Sequence, residues 1–438
     1  MQTNVGLLGY GTVGAGVARI ISLEDALLCQ KVGWPLKLAK AVVRDLSGRR
    51  AFPAPPGLLT TDPSEVVANP DVQVVVEVMG GLEPARTLVL AALESGQHVV
   101  TANKALLAVH GREIFEKAAQ SGREIFFEAA VAGAIPVIRT LKEGLAANRI
   151  QSVAGILNGT TNYILTAMSR GGATFEEALK EAQELGYAEA DPTTDVEGAD
   201  AAHKLILLTA LAYGVLPALD DIRAEGITKL APADFQFAEA LGYVIKLLAT
   251  AASNPEDGRL EVRLQPAMIP KGHLLAGVNG AMNAVMIRGH ACGDIFLSGA
   301  GAGMMPTASA VVGDIVEIAR LANSQSKLTK PSLGWQSLKA ETVKPASDIW
   351  SRHYLRFSVH DRPGVLAAIA GALAAHNVSI AQVIQKEADP GTGQVYLVML
   401  THSAPVRSLK AALDDAASLE GSLGPARVIR VEEFREGR

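Results

Sequence analysis

The chain has 438 residues, of which 49% are apolar and 19% charged, and its formal net charge is -5. That balance describes a well-buried protein of roughly three domains and offers no field for nucleic acid or a membrane surface, so a small-molecule substrate is the expected partner. Its two cysteines, Cys29 and Cys292, have neither disulfide nor metal spacing, residues 1–20 lack a leader pattern, and no apolar run approaches the length of about 18 residues that spans a bilayer; a cytoplasmic location is expected.

The apolar run Asn4–Leu8 predicts a strand, and the pattern through Val17, Ile20 and Ile21 predicts a helix, with Gly9-Tyr10-Gly11-Thr12-Val13-Gly14 between them. In a strand–turn–helix of this kind Gly9 permits the tight turn, Gly11 lets backbone approach a pyrophosphate, and Gly14 lets helix and strand pack closely. Gly9, Gly11, Thr12, Val13 and Gly14 are therefore candidate dinucleotide contacts; the alternative is a glycine turn without a ligand. A second strand, Leu36–Val43, ends at Arg44-Asp45. An acid at this place serves the ribose hydroxyls of NAD, whereas an arginine receives the 2′-phosphate of NADP. Arg44, with Arg49 and Arg50 nearby, points to NADP, and Asp45 keeps NAD open.

Alternation continues with a helix from Pro63, a strand Val72–Val78, a helix Pro84–Glu94, a strand His98–Thr101, a helix Arg112–Gln120 and a strand Glu124–Phe127, as in a doubly wound sheet. Thr101 and Lys104 lie just past a strand end, where such sheets bind ligands. For a lysine in that place, the ordinary reading is a solvent-facing side chain.

The segment from Gly186 to Lys204 reads as a helix end, a turn at Asp191-Pro192 and a new helix with an acidic start. Asp200 and Lys204 fall four apart, on one face, so carboxylate and ammonium can meet one ligand; the same spacing also suits a plain surface ion pair. His203 is about 100° round the helix and is expected to pack or face solvent. Asn158 and Thr160, in Asn158-Gly159-Thr160-Thr161, either line a pocket or cap a helix.

Together with Glu128 to Pro136 and Leu157 to Asn162, this segment makes the chain resemble the homoserine dehydrogenases over residues 1–345, with Ala182, Gly186, Asp191-Pro192, Asp195, Gly198, Asp200 and Lys204 at the family's spacing. The resemblance implies reversible NAD(P)-dependent interconversion of L-aspartate 4-semialdehyde and L-homoserine, towards threonine and methionine. It implies Lys204 as proton donor and acceptor with Asp200 beside it, Glu189 gripping the substrate's amino end, and Lys104 between cofactor and substrate. It also implies a sodium ion held near Glu128 by the carbonyls of Val131, Gly133 and Ile135, and a homodimer or homotetramer.

Leu260–Ile269 predicts an extended segment, and the glycine-rich loop Gly299–Gly303 opens a helix Ala308–Leu321; by resemblance this loop returns to the nucleotide, with Gly303 as a contact. Residues 322–350 read as a connector. Beyond it come strand Tyr354–Val359, Asp361-Arg362-Pro363-Gly364 opening a helix to His376, strand Ser379–Lys386, a turn Asp389–Gly393, strand Gln394–Thr401, helix Pro405–Leu419 and strand Arg427–Val431. This βαββαβ order, with Asn377, resembles an ACT domain; the resemblance implies an amino-acid effector, threonine as pathway product, near Asp361, Gly364, Val365 and Asn377. A module used only for oligomerisation is the alternative.

The expected fold is α/β. It comprises a doubly wound Rossmann-type NAD(P)-binding domain over 1–135, an α+β catalytic and dimerisation domain over 136–321, a connector over 322–350 returning near the nucleotide domain, and an ACT domain over 351–438. Two other readings stand beside the dehydrogenase. A semialdehyde dehydrogenase acting through a thiohemiacetal would need Cys292 activated, with His290 two residues away. A non-catalytic sensor would not need Asp200 and Lys204.

Overall fold

The computed structural model describes residues 2–254, 257–323, 332–339, 343–385 and 394–434. The first unit runs β1 (Thr3–Leu8), α1 (Thr12–Leu23), α2 (Asp25–Val32), β2 (Leu36–Val42), β3 (Leu59–Thr60), β4 (Val74–Glu77), α3 (Ala85–Glu94), β5 (His98–Thr101), α4 (Lys104–Ser121) and β6 (Ile125–Phe126). Its parallel sheet has the order β3-β2-β1-β4-β5-β6. The central strands are valine- and leucine-rich and buried on both faces, as strands covered by helices on either side must be. The helix expected from Pro63 is a single turn, Pro63–Glu65, capped by Asp62. Conversely, α4 begins eight residues before the expected Arg112: the Asn103 side chain accepts the Leu106 amide at 3.1 Å and starts the helix there. Gly111 lies inside α4, where a Cβ would stand 3.6 Å from Leu216.

The middle unit follows: α5 (Val137–Arg139) running into a wide turn Thr140–Gly144, β7 (Ile150–Ile156), α6 (Gly159–Gly171), α7 (Phe175–Glu184), α8 (Thr193–Val196), α9 (Ala199–Tyr213), β8 (Arg223–Ala224), α10 (Pro232–Ala240), β9 (Tyr243–Ser253), β10 (Leu260–Pro270), β11 (Met282–Gly289) and β12 (Gly293–Ala300). The single helix expected after Asp191-Pro192 is two, because Gly198 takes φ +90° and breaks it. Helices α6 and α9 lie on β7, β9 and β10 and bury one continuous core with α3 and α4, so the two units share an apolar interior.

Helix α11 (Met304–Asn323) begins four residues before the expected Ala308 and packs on the first unit. Ala308, Val311, Ile315 and Ile318 lie in the core of the first unit with Val5, Ala15 and Val17, and α11 meets α1 at Gly16, where a Cβ would be 2.9 Å from Ala308 Cβ. The connector's described stretches lie mainly on the middle unit: Trp335 donates to the Leu211 carbonyl at 2.8 Å, the Lys339 amide to Gly214, and Val343 pairs with Leu260. The last unit is β13 (Trp350–His360), α12 (Val365–Ala375), β14 (Ile380–Gln385), β15 (Gln394–Thr401), β16 (Ala404–Pro405), α13 (Val406–Ala417) and β17 (Arg427–Val431). The expected turn Asp389–Gly393 lies outside the described residues. Four of its strands order β17-β13-β15-β14, and β17 pairs in parallel with β10, extending the middle sheet into the last unit.

Candidate active site

Asp191 closes its turn by accepting the Thr193 amide at 3.1 Å and hydroxyl at 2.6 Å, which starts α8; the Gly198 break then starts α9 anew, with Asp200 in its first turn. From Lys204 to Tyr213 every residue of α9 is buried, so the lysine is carried into the interior and is 8% exposed. Its Nζ donates to the Leu157 carbonyl at 2.8 Å and to Asp200 Oδ2 at 2.6 Å. Across the seam, Lys104 Nζ from the first unit lies 3.1 Å from Asp200 Oδ1. One carboxylate thus holds two ammoniums from different units. Burial works to push the Asp200 carboxyl up, but Lys204 and Lys104 together hold it well below the usual carboxylate range.

Two residues that sequence reasoning left out of the catalytic set complete the cluster. Asn158 caps α6 by accepting the Thr161 amide at 2.8 Å, and its Nδ2 donates to Asp195 Oδ1 at 2.7 Å and Asp200 Oδ2 at 2.9 Å. Burial, followed by the Asp200 charge, pushes the Asp195 carboxyl up. Asp195 was visible in the spacing of the long segment; its pairing with Asn158 was not. Thr160 is spent on the Tyr187 carbonyl at 2.6 Å, tying the segment after α7 to α6. Glu189, on that segment, is exposed and joins none of the cluster's contacts among the described residues. His203 is half-buried, and burial lowers its pKa.

At the expected nucleotide site, Gly9 takes φ +109° with a would-be Cβ 2.9 Å from the Val78 carbonyl oxygen, and a Cβ on Gly14 would stand 2.2 Å from Gly9 O. Gly11, by contrast, faces open space, and the N-terminus of α1 carries no side-chain cap, leaving its amides for an anion. Thr12 is exposed and Val13 half-buried beside them. Past β2, Asp45 folds onto Ser47, accepting its amide at 2.9 Å and hydroxyl at 2.7 Å, while Arg44 is exposed and Arg50 bonds the Asp45 carbonyl. Thr101 is 0% exposed, and its hydroxyl donates to Glu77 and accepts the Asn103 amide. Lys104 is the first residue of α4, half-exposed. Gly303, at φ +120°, leads into α11.

At the junction of the units, Glu128 is buried and accepts the Ile138 amide at 2.8 Å and the Arg139 amide at 2.9 Å. Its own amide donates to Asp314, whose carboxyl burial and the Glu128 charge push up to about 8. Ala132 and Gly133 both take φ +56°. The buried carbonyls of Val131 and Gly133 enter no hydrogen bond among the described residues, while that of Ile135 accepts from Val137 at 2.8 Å. An oxygen-only set with orphaned buried carbonyls fits a hard cation.

In the last unit, Asp361, Gly364 and Val365 sit at the start of α12 and Asn377, at φ +58°, beyond its end, so one chain does not bring the four expected effector residues together. His290 Nδ1 accepts the Arg149 amide at 3.0 Å, and Cys292 is exposed against the Gly293 carbonyl, so the thiohemiacetal reading lacks an activated thiol. Among the described residues no helix is long and apolar enough to cross a membrane.

A family model described as homoserine dehydrogenase, NAD binding domain, matches residues 9–128; one described as homoserine dehydrogenase matches 136–316, and one described as ACT domain matches 353–421. The chain is 46% identical over 432 residues to a homoserine dehydrogenase of Pseudomonas aeruginosa, covering 98% of this chain and 99% of that one. It is similar to the crystal structure of a homoserine dehydrogenase from Thiobacillus denitrificans, with a TM-score of 0.93, 44% identity and 99% of each chain covered. A hyperthermophilic archaeal homoserine dehydrogenase in complex with NADPH matches with a TM-score of 0.60 at 26% identity, covering 77% of this chain and 100% of that one.

Proposed function

The chain belongs to the homoserine dehydrogenase family, and from that premise we propose how its residues carry the reaction. It is a nicotinamide-dependent oxidoreductase that interconverts L-aspartate 4-semialdehyde and L-homoserine, and it carries an ACT domain. The observation that supports the assignment of roles is the Lys204–Asp200–Lys104 cluster at the seam between the two units.

The bound nicotinamide supplies the hydride. Lys204 gives a proton to the substrate's carbonyl oxygen as the alcohol forms and takes one back in oxidation. Asp200 holds that ammonium and the Lys104 ammonium against the reacting oxygen, and Asn158 keeps Asp200 and Asp195 apart by donating to both. Glu189 receives the substrate's amino group; its exposed place suits a residue that closes on a ligand. The turn Gly9–Gly14, with the α1 N-terminus, would hold the pyrophosphate, and Gly303 would lie beside the nicotinamide.

The cofactor is NADP. Asp45 is committed to Ser47, so the ribose edge presents Arg44, and a relative binds NADPH. A sodium ion held by Glu128 and the carbonyls of Val131, Gly133 and Ile135 would fix the bend between units and takes no part in the chemistry. The domain divisions at 135 and 350, with α11 joining the first domain, the homodimer or homotetramer and the cytoplasmic setting belong to the same reading. Threonine is the effector, bound at the ACT domain between two copies, since Asp361 and Asn377 lie at opposite ends of α12. Arg427 of that domain reaches Glu225 at 3.0 Å, and nearby Ile227 donates to the Val196 carbonyl next to Asp195, which supports a route to the active site.

The test is to follow absorbance of the reduced cofactor when aspartate 4-semialdehyde is added. Consumption should be faster with NADPH than NADH; no consumption with either would overturn the reading. Titration calorimetry with threonine should give heat and saturating threonine should slow turnover; neither effect would remove the effector assignment.

A further inference from the structure

We propose that Glu77 is the fixed counter-charge of the oxidised nicotinamide ring, a positioning residue that favours the positively charged cofactor over its reduced form. The inference rests on the dehydrogenase reading and deepens it.

Glu77 is the last residue of β4, 0% exposed, and in register with Leu8 on β1 and Thr101 on β5, so the three strands end level. Leu8 leads straight into the glycine turn and Thr101 into Lys104, so the carboxylate lies under the strand ends where a doubly wound sheet places the nicotinamide. Its Oε1 accepts the amides of Met79 at 3.0 Å and Gly80 at 3.2 Å, and its Oε2 the Thr101 hydroxyl at 2.6 Å. All three donors are neutral. Among the described residues no lysine, arginine or histidine forms an ion pair with Glu77.

Three other interior carboxylates of this chain differ, whereas Glu128, like Glu77, is met by backbone amides. Asp200 has two ammoniums, Asp234 has Arg356 at 2.7 Å, and Asp314 has Arg139 at 3.5 Å. A carboxylate out of water without a cation is costly, and three neutral hydrogen bonds lower that cost without cancelling the charge. Burial pushes the Glu77 carboxyl up, while its hydrogen bonds pull the other way. The residues over it leave room for a ring: Gly80 and Gly81 are exposed, at φ +73° and +74°, with no side chains. A ring that is positive only when oxidised would supply the missing charge, and it would do so in one redox state alone.

The test measures the dissociation constants of NADP⁺ and NADPH for the full chain, for Glu77→Gln and for Glu77→Asp. Glu77→Gln should weaken NADP⁺ by roughly ten- to thirtyfold, as for one unit charge several ångströms away at intermediate dielectric, and leave NADPH within about twofold. Glu77→Asp, which keeps the charge, should hold the ratio of the two constants near the wild-type value. A merely structural role would weaken both nucleotides alike, and that result, or an unchanged ratio, would overturn the proposal. Should Glu77→Gln not fold, the wild-type chain decides: NADP⁺ should bind about tenfold tighter than its analogue with a neutral benzamide ring, and equal binding would overturn the proposal. If the wild-type chain binds neither nucleotide, the dehydrogenase reading fails instead.

Discussion

The amide group of Asn158 serves a helix and two carboxylates at once, and its two functions can be separated. Its oxygen caps α6 and its nitrogen stands between Asp195 and Asp200. Asn158→Ser keeps an oxygen for the cap and withdraws the amide nitrogen that reaches both carboxylates. Stability should fall by less than about 1 kcal/mol, the usual worth of a whole cap, while kcat falls at least about tenfold because Asp200 then turns from Lys204 under repulsion from Asp195. Asn158→Ala should add the cap's cost. Thermal melts read the first effect and steady-state kinetics the second; a serine variant with full turnover would show that the amide only caps.

At the scale of elements, His98 at the start of β5 makes the first unit sensitive to acid. Burial, then the charge of Arg123, lowers its pKa to about 4, and its Nδ1 accepts the Glu124 amide at 3.1 Å, a bond only the neutral ring can make. The unfolded chain takes up a proton near pH 6.5 that the folded chain refuses, so this contribution is complete above that value and lost as pH falls towards about 4, up to about 3 kcal/mol in all. Urea midpoints between these pH values should fall more steeply for the wild type than for His98→Gln, which keeps an acceptor without titrating; parallel curves would contradict this. The elements themselves were legible to different degrees. Strands of the first and last units followed their apolar runs closely, and His98–Thr101 and Arg427–Val431 match to the residue. The start of α4 was hidden because Gly111 reads as a breaker, whereas it lies inside the helix, where a Cβ would stand 3.1 Å from the Phe115 ring. The Asp200–Lys204 pair was legible from i,i+4 spacing, but its third and fourth members come from Lys104 and Asn158, distant in sequence, and no periodicity announces a contact across two units.

At the scale of the molecule, three units are joined by shared interiors. The last is bound to the middle by the parallel pairing of β17 with β10 and by Asp234, 0% exposed, which accepts from Arg356 at 2.7 and 3.2 Å and from the Tyr354 hydroxyl at 3.2 Å. Arg356→Leu would strand that buried carboxylate and should cost about 3–5 kcal/mol, read by chemical denaturation; a loss under about 1 kcal/mol would contradict the pairing's importance. The seam between the first and middle units is where the account is most exposed, because it assigns nucleotide binding to one unit and proton transfer to a lysine of the other. The most direct measurement is therefore turnover and nucleotide affinity side by side in Lys204→Ala. The account predicts a fall in kcat of about 10²–10⁴-fold, the usual worth of a placed proton donor, with the NADPH dissociation constant within about twofold of wild type. Turnover within about tenfold of wild type would contradict it.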